Sequence, residues 1–557
     1  MSQSIFEALR NFFPQLLPEV ILALTACVLF LGATFRVRRG VWGTTAVAAL
    51  LAAGAVLWYV AITTPTLDAL RLDRATLPVE EQAAATERIE ATVYAAPVVF
   101  SKMAIFFKAA AILTGLALVL LGWNEAGDEH AGEYHGCLLL MVVGMGVVGS
   151  ANDLATMYLA LELISIPTYV LLYLPRVEDR TQEAAMKYFM LSIFSSGLLL
   201  FGLSYLYGLT GTTNIPAILD ALHWSQRSAS GPLPWLSVAL LAYVMVVAGL
   251  GFRITAVPFH FYAPDVYQGT STPTAALLSL VPKIVGFAAL IRLLGLAPEH
   301  AGEEIISRLT QQVSMLLWIM SAVTMTLGNI LALLQNNIRR LLAYSSISNA
   351  GYMLIGLSVV PHLGTGPGEA IGGIEALLFY LVAYGAMTVG FFAVIHALST
   401  EARPLETVDD LAGLGKTHPG AALLLALFLF SLIGMPLTAG FAGKFMLFFN
   451  ALGLPAGRSE AWLYRLLAII AALNAAVAGW YYLRMIATMY LREAIDPFPK
   501  LRPAPLYGTI ALCAVMTLGL GVYPNALLQV IRKAVPGRSG VAVAPAPAAD
   551  REVAARE

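Results

Sequence analysis

Apolar residues run along this chain in stretches of about twenty, broken by short polar segments, almost from end to end. A helix needs ~20 mostly apolar residues to cross a bilayer. The pattern therefore predicts fourteen spans, near 15–35, 41–63, 97–122, 136–151, 154–174, 187–208, 234–263, 271–296, 312–334, 340–361, 372–398, 420–449, 462–490 and 505–531. The fourth is short. The seventh and twelfth are overlong and punctuated midway, by "GLGFRITAVPFHF" and "LIGMPLTAGFAGKF". Proline removes an amide donor and glycine weakens a helix, so both spans are expected to break. Broken helices in matching places of two halves point to an inverted-repeat transporter.

Two stretches fall outside the spans. Residues 64–95 read as an extramembrane segment with a possible surface helix, and the Ala/Pro-rich tail 537–557 reads as disordered. The apolar stretch near the N-terminus is too long for a signal peptide and has the wrong flanks, so it reads as an uncleaved first helix. An even number of spans places both termini on one side. Arginine and lysine concentrate after odd spans (Arg36, Arg38, Arg39; Arg339, Arg340; Arg492, Lys500, Arg502), which makes those loops cytoplasmic and both termini external. Arg532, Lys533 and Arg538 near the C-terminus argue mildly the other way.

Composition agrees with the pattern. Of 557 residues, 59% are hydrophobic and 12% charged, against about 45–50% and 25% in soluble domains. A net charge of −1 offers nothing to nucleic acid. Cys27, Cys137 and Cys513 are far apart in apolar runs, without iron–sulfur or haem spacing, so no redox centre is expected in this chain. "GMGVVG" (144–149) fits a dinucleotide pattern but lies in a span with no preceding strand. "DLAGLGKT" resembles a phosphate loop but has Asp410 where the first glycine belongs. Neither reads as nucleotide-binding.

The informative residues are charges inside spans: Glu162 in the fifth, Arg253 in the seventh, Lys283 in the eighth and Lys444 in the twelfth. A central charge costs roughly 2.5–3.5 kcal/mol, so four unpaired ones would cost on the order of 10–14 kcal/mol. The default reading is an ion pathway, and the alternative is a set of fixed pairs that lock helices together. Desolvation disfavours an ammonium and a nearby carboxylate restores it, so a lysine in such a line can load and unload a proton. Arginine cannot, because guanidinium stays protonated. Other charges have simpler readings. Lys102 and Lys108 are expected to snorkel and Glu19 to face headgroups. Glu183 and Lys187 are placed to pair at i, i+4. Arg484 and Glu375 lie near span ends, and His260 reads equally as a hydrogen-bonding residue or a proton relay.

The segment "ITAVPFHFYAPDVYQGTSTPTAALLSLVPKIVGF" (254–287) resembles the subunit N family of bacterial respiratory NADH:quinone oxidoreductase (complex I), one of the antiporter-like proton-translocating subunits. "LALELISIPTYVL", "EAAMKYFMLSIFSSGLLLFG", "LGNILALLQNNIRRLLAYSSISNAGYMLIGL" and "GMPLTAGFAGKFMLF" carry it further, over roughly residues 96–495. "PDVYQG" favours this family over its paralogues and over cation/proton antiporters.

The resemblance implies an all-α polytopic protein of about 14 helices, with helices 7 and 12 broken. Its parts are helices 1–3 (1–135), a first five-helix repeat (136–296), a second, inverted one (305–495), helix 14 (500–535) and the tail. It also implies that Glu162, Lys283 and Lys444 are the family's functional charges, and that Glu183 is an acidic position linked to the neighbouring subunit's channel. Flavin, iron–sulfur clusters and quinone would belong to partner subunits, with none bound by this chain. The implied partners are other membrane-arm subunits, including a paralogous antiporter-like one, in a bacterial inner membrane. Two positions depart from the family pattern: Arg253 replaces the expected lysine beside Glu162, and Asn349 replaces a histidine in "SISN". The alternatives are a subunit of a multi-subunit cation/proton antiporter and a structural membrane subunit that conducts nothing.

Overall fold

Backbone that cannot reach water must satisfy its own hydrogen bonds, which helices do internally. The described residues of this chain follow that rule. A computed structural model describes residues 2–35, 37–70, 96–174, 178–227, 234–294, 308–362, 371–400, 403–454, 460–494 and 505–535, with 77, 82 and 93. Among them there is no strand beyond isolated bridges. The proposed surface helix within 64–95 lies mostly outside these residues, as does the tail.

The first six spans are single helices: α1 (Ser2–Gly32), α2 (Arg39–Thr63), α3 (Lys102–Leu121), α4 (Ala131–Ser150), α5 (Leu154–Tyr173) and α6 (Asp179–Thr210). The fourth is not short as expected. It begins five residues earlier, because "AGEYH" continues the helix and buries Tyr134 and His135. An amphipathic helix α7 (Ile215–Arg227) precedes the seventh span, which consists of α8 (Pro234–Arg253), an irregular stretch and α9 (Ala263–Gly269). Then come α10 (Thr272–Leu293), α11 (Arg308–Leu333), α12 (Ile338–Val359) and α13 (Gly373–Leu398). The twelfth span is split into α14 (Pro419–Ile433) and α15 (Ala439–Leu452), followed by α16 (Ala461–Leu491). The last predicted span is shorter than expected. α17 (Pro505–Val522) stops before Pro524, and α18 (Asn525–Ala534) is a separate amphipathic helix with Leu528 and Ile531 buried.

Among the described residues, eleven helices are long and apolar enough to cross a membrane. The other predicted spans are α8, α12 and the α14–α15 pair, which are short or polar. Neighbours recur in the two halves: α4 packs on α5 and α10, as α11 packs on α12 and α16. In each half the fourth member is the broken one. Burial sorts the helices by role. Almost every residue of α10, α12 and α13 is buried, whereas α1, α2 and α17 present broad apolar faces outward.

Both breaks satisfy their freed backbone groups inside the protein. After α8, Thr255 takes a positive φ of 60°, Ala256 N–H donates to the Gly251 carbonyl at 2.8 Å, and the Tyr262 hydroxyl donates to the Phe252 carbonyl at 3.0 Å. Val257 N–H finds the Thr324 hydroxyl at 3.1 Å. After α14, Gly434 at φ 97° closes the helix with a Schellman-type pattern, as Met435 N–H reaches back to the Phe430 carbonyl at 3.0 Å. The backbone there returns so tightly that a Cβ on Gly440 would lie 1.8 Å from the Ser431 carbonyl oxygen. Gly440→Ala should therefore prise α14 and α15 apart at a cost of about 3 kcal/mol or more. Reduced thermal stability and yield of the assembled protein would show it, and a wild-type melting curve would not.

Candidate functional site

The breaks sit where the buried charges are. α5 carries Glu162 and Ser165 three residues apart and so on one face. That face meets Arg253, the last residue of α8. Arg253 Nη2 donates to Glu162 Oε1 at 3.1 Å and Nη1 to Ser165 Oγ at 3.0 Å. Ser196 of α6 donates to the same carboxylate oxygen at 2.5 Å. The Arg253 side chain is 6% exposed and that of Glu162 24%, on a flank otherwise made of exposed Leu159, Ile166 and Phe194. The carboxylate therefore looks partly outward from the bundle.

Arg253→Ala would strand this carboxylate. Breaking a buried pair costs roughly 3–5 kcal/mol, and the partial exposure of Glu162 puts this one near the lower end, at about 3 kcal/mol. Arg253→Lys keeps the charge and should keep most of the stability and coupled turnover. Equal loss in both variants would mean that guanidinium geometry, rather than charge, is what matters there.

Lys283 lies in the middle of α10 with none of its surface exposed. Its ammonium donates to Ser346 Oγ at 2.5 Å and to Thr255 Oγ1 at 3.3 Å, the latter on the irregular stretch after α8. Tyr384 of α13 donates to the same Ser346 oxygen at 2.9 Å, and its ring centroid is 5.6 Å from the Lys283 nitrogen. Lys444 of α15 points across the second break. Its Nζ donates to the Leu432 and Ile433 carbonyls at 2.7 and 3.3 Å and lies 4.9 Å from the Tyr352 ring centroid. It thus sits at the negative end of the α14 dipole, a favourable place for a cation. Among the described residues neither lysine pairs with a carboxylate.

α12 joins the two lysines. Ser346, Asn349 and Tyr352 are spaced by three on it, with Ser346 touching Lys283 and Tyr352 lying under Lys444. Six residues of helix rise about 9 Å, so this face bridges the lysines with Asn349 midway. The Asn349 amide donates to the Ser345 carbonyl at 2.8 Å and accepts from the Tyr380 hydroxyl at 2.5 Å. An amide held at both ends orients its neighbours but does not take up a proton.

The remaining candidates lie elsewhere. Glu183 and Lys187 pair at 2.6 Å as expected, and Lys187 also reaches Asp265 at 3.1 Å. Arg340 completes the series on Asp265 at 2.6 Å, so α6, α9 and α12 are tied together near one membrane face. His260 is half-buried between α8 and α9 and, among the described residues, hydrogen-bonds to none of the four mid-span charges. Two expectations fail. Lys108 does not snorkel and Glu19 does not face headgroups: they pair at 2.9 Å, both buried, and Lys108 also donates to the Gln15 carbonyl. Burial of both helix faces left the two charges to be satisfied inside the protein and not by water or headgroups.

The sequence reading missed the groups that surround the lysines: the Thr255 and Ser346 hydroxyls and the Tyr352 and Tyr384 rings. For Ser346 and Tyr352 the signal was their i, i+6 spacing, with Asn349 between them, on one face of the tenth span.

Comparison with known proteins supports the same reading. Residues 151–472 match the family described as NADH:quinone oxidoreductase/Mrp antiporter, TM. NADH-quinone oxidoreductase subunit N of Trichlorobacter lovleyi is 40% identical over 441 residues, covering 79% of this chain and 84% of that protein. Subunit N 2 of Rhizobium meliloti is 34% identical over 534 residues, covering 93% and 97%. Among solved structures, a chain of respiratory complex I from Thermus thermophilus aligns with TM-score 0.68 at 27% identity, covering 93% of this chain and all of that one. A chain of the Mrp complex from Dietzia aligns with TM-score 0.70, but at 20% identity over 51% of its length, which is a likeness of fold alone. With two helices broken beside buried charges and relatives matched over most of its length, the chain belongs to the subunit N family of the NADH-quinone oxidoreductases, as an antiporter-like, multi-pass membrane subunit of that proton-translocating complex.

Proposed function

We propose that protons cross this subunit by way of Lys283 and Lys444, and that the Glu162–Arg253 pair gates the line electrostatically without itself carrying the proton. The observation that carries this reading is the contrast in partners. Glu162 and Arg253 are held together, whereas the two lysines are buried among hydroxyls, carbonyls and aromatic rings with no carboxylate of the described residues bonded to them. A fixed lock would pair its charges, and a loading site needs a group that can exist in both protonation states. Redox energy released in partner subunits, which would hold the flavin, iron–sulfur clusters and quinone, would act on the line through the outward-looking Glu162. A paralogous antiporter-like subunit is the natural neighbour, and the apolar outer faces fit lipid.

Purifying the complex through a tag on this chain tests the assignment. Flavin- and iron–sulfur-bearing subunits should co-isolate, with NADH oxidation driving proton transfer in vesicles. Isolation with cation/proton antiporter subunits alone would favour the runner-up reading.

The subunit would lie in a bacterial inner membrane with both termini external, which makes the loop before α2 cytoplasmic. Gly40 has no neighbour that a Cβ would meet, so Gly40→Cys should fold normally. It should react with a membrane-impermeant thiol reagent only from the cytoplasmic side. Labelling from outside would invert the topology.

A further inference from the structure

α12 ends at both membrane faces. Arg340 at its start joins the Asp265 network, and after its 22 residues, about 33 Å of helix, the chain reaches His362. His362 is 2% exposed and belongs to a cluster drawn from three elements. Its Nε2 lies 3.2 Å from Ser314 Oγ of α11, and its ring packs 4.9 Å from that of Tyr464 of α16. The Ser314 and Tyr464 hydroxyl oxygens lie 2.7 Å apart, and each is within hydrogen-bond reach of the Ser358 carbonyl, at 2.5 and 2.8 Å. These contacts seat the imidazole between α11 and α16. Its other nitrogen, Nδ1, lies 3.7 Å from Glu460 Oε2, and Gln311 donates to the second oxygen of that carboxylate. The Glu460 side chain is 27% exposed, so the cluster runs from a buried ring to a carboxylate that meets water.

We propose that His362 and Glu460 form the port through which protons pass between this subunit and water on the face opposite the Glu183–Lys187–Asp265–Arg340 network. Imidazole changes charge in the physiological range and has two nitrogens, so it can take a proton on one and release it from the other. A proton arriving through the Ser314 hydroxyl binds Nε2, and the Nδ1 proton then leaves to Glu460. The ring is left neutral with its proton on Nε2, a half-turn about the Cβ–Cγ bond and proton exchange restore the starting tautomer for the next proton, and the carboxylic acid so formed delivers its proton to solvent. The 3.7 Å separation is longer than a hydrogen bond, and a small rotation of the partly exposed Glu460 side chain brings its carboxylate into range. No electron moves and no further reactant is needed. The inference rests on the reading that this chain moves protons, and in the proposed orientation the port opens on the external face.

The test uses the intact complex in proteoliposomes. His362→Gln keeps a group that can bond Ser314 but cannot shuttle a proton, and Glu460→Gln removes the outer acceptor at a half-exposed site. Both should assemble, and both should show a lowered proton-to-electron ratio and a severalfold drop in coupled turnover. His362→Gly should regain turnover with imidazole supplied on the external side, a rescue that a merely structural role would not show. Wild-type ratios in His362→Gln and Glu460→Gln, beside an impaired Lys283→Ala control, would overturn the port while leaving the proton path standing. Wild-type ratios in all three would overturn the proton path itself.

Discussion

Lys283→Ala will leave the complex assembled and stop proton transfer through this subunit. The two halves of that expectation have separate physical grounds. Assembly should survive because, among the described residues, no carboxylate depends on the ammonium: its partners are the Ser346 and Thr255 hydroxyls, and each keeps another bond. Ser346 still accepts from Tyr384, and Thr255 still donates to the Ile254 carbonyl. Transfer should fail because alanine cannot hold a proton. Removing a positioned proton-transfer group typically slows the step it serves by about 10²–10⁴-fold. The readouts are proton translocation in vesicles and uncoupler-sensitive NADH oxidation, with assembly followed by native electrophoresis. Normal translocation would remove Lys283 from the path.

Lys444→Ala should show a mixed effect of comparable size. This lysine caps the last carbonyls of α14, so its loss removes a proton carrier and also leaves Leu432 and Ile433 oxygens without their donor. A buried acceptor left unsatisfied costs about 1–3 kcal/mol, so this variant should lose thermal stability as well as pumping. Lys444→Arg restores a donor to those carbonyls but not a releasable proton. It should recover the stability and not the pumping. Recovery of both would make Lys444 a helix cap and nothing more.

Much of this was legible in the sequence because a bilayer imposes strong rules. Glu162 and Lys444 stood out as lone charges in apolar runs and Lys283 as a central one, and the Gly/Pro punctuation located both breaks. The departure at Arg253 was also visible, and the structure gives it a partner: guanidinium spans Glu162 and Ser165 together, which an ammonium would do less rigidly. What the sequence could not show was pairing between distant spans. Lys108 and Glu19 are 89 positions apart, and only packing of α1 on α4 beside α3 brings them together. The spacing of Ser346, Asn349 and Tyr352 was readable, but not that each end of the stripe meets a different lysine. The end of α17 was missed for a simpler reason. An amphipathic helix following a span without a charge between them reads as its continuation until Pro524 is given its full weight.

The central claim is that Lys283 acts by gaining and losing a proton, not by being a fixed positive charge. Lys283→Arg separates the two, since guanidinium keeps the charge and does not release its proton at working pH. The measurement is the number of protons translocated per NADH oxidised by the reconstituted complex, in Lys283→Arg, Lys283→Ala and wild type side by side. The account predicts that arginine is as damaging as alanine, whereas a wild-type ratio in Lys283→Arg would contradict it.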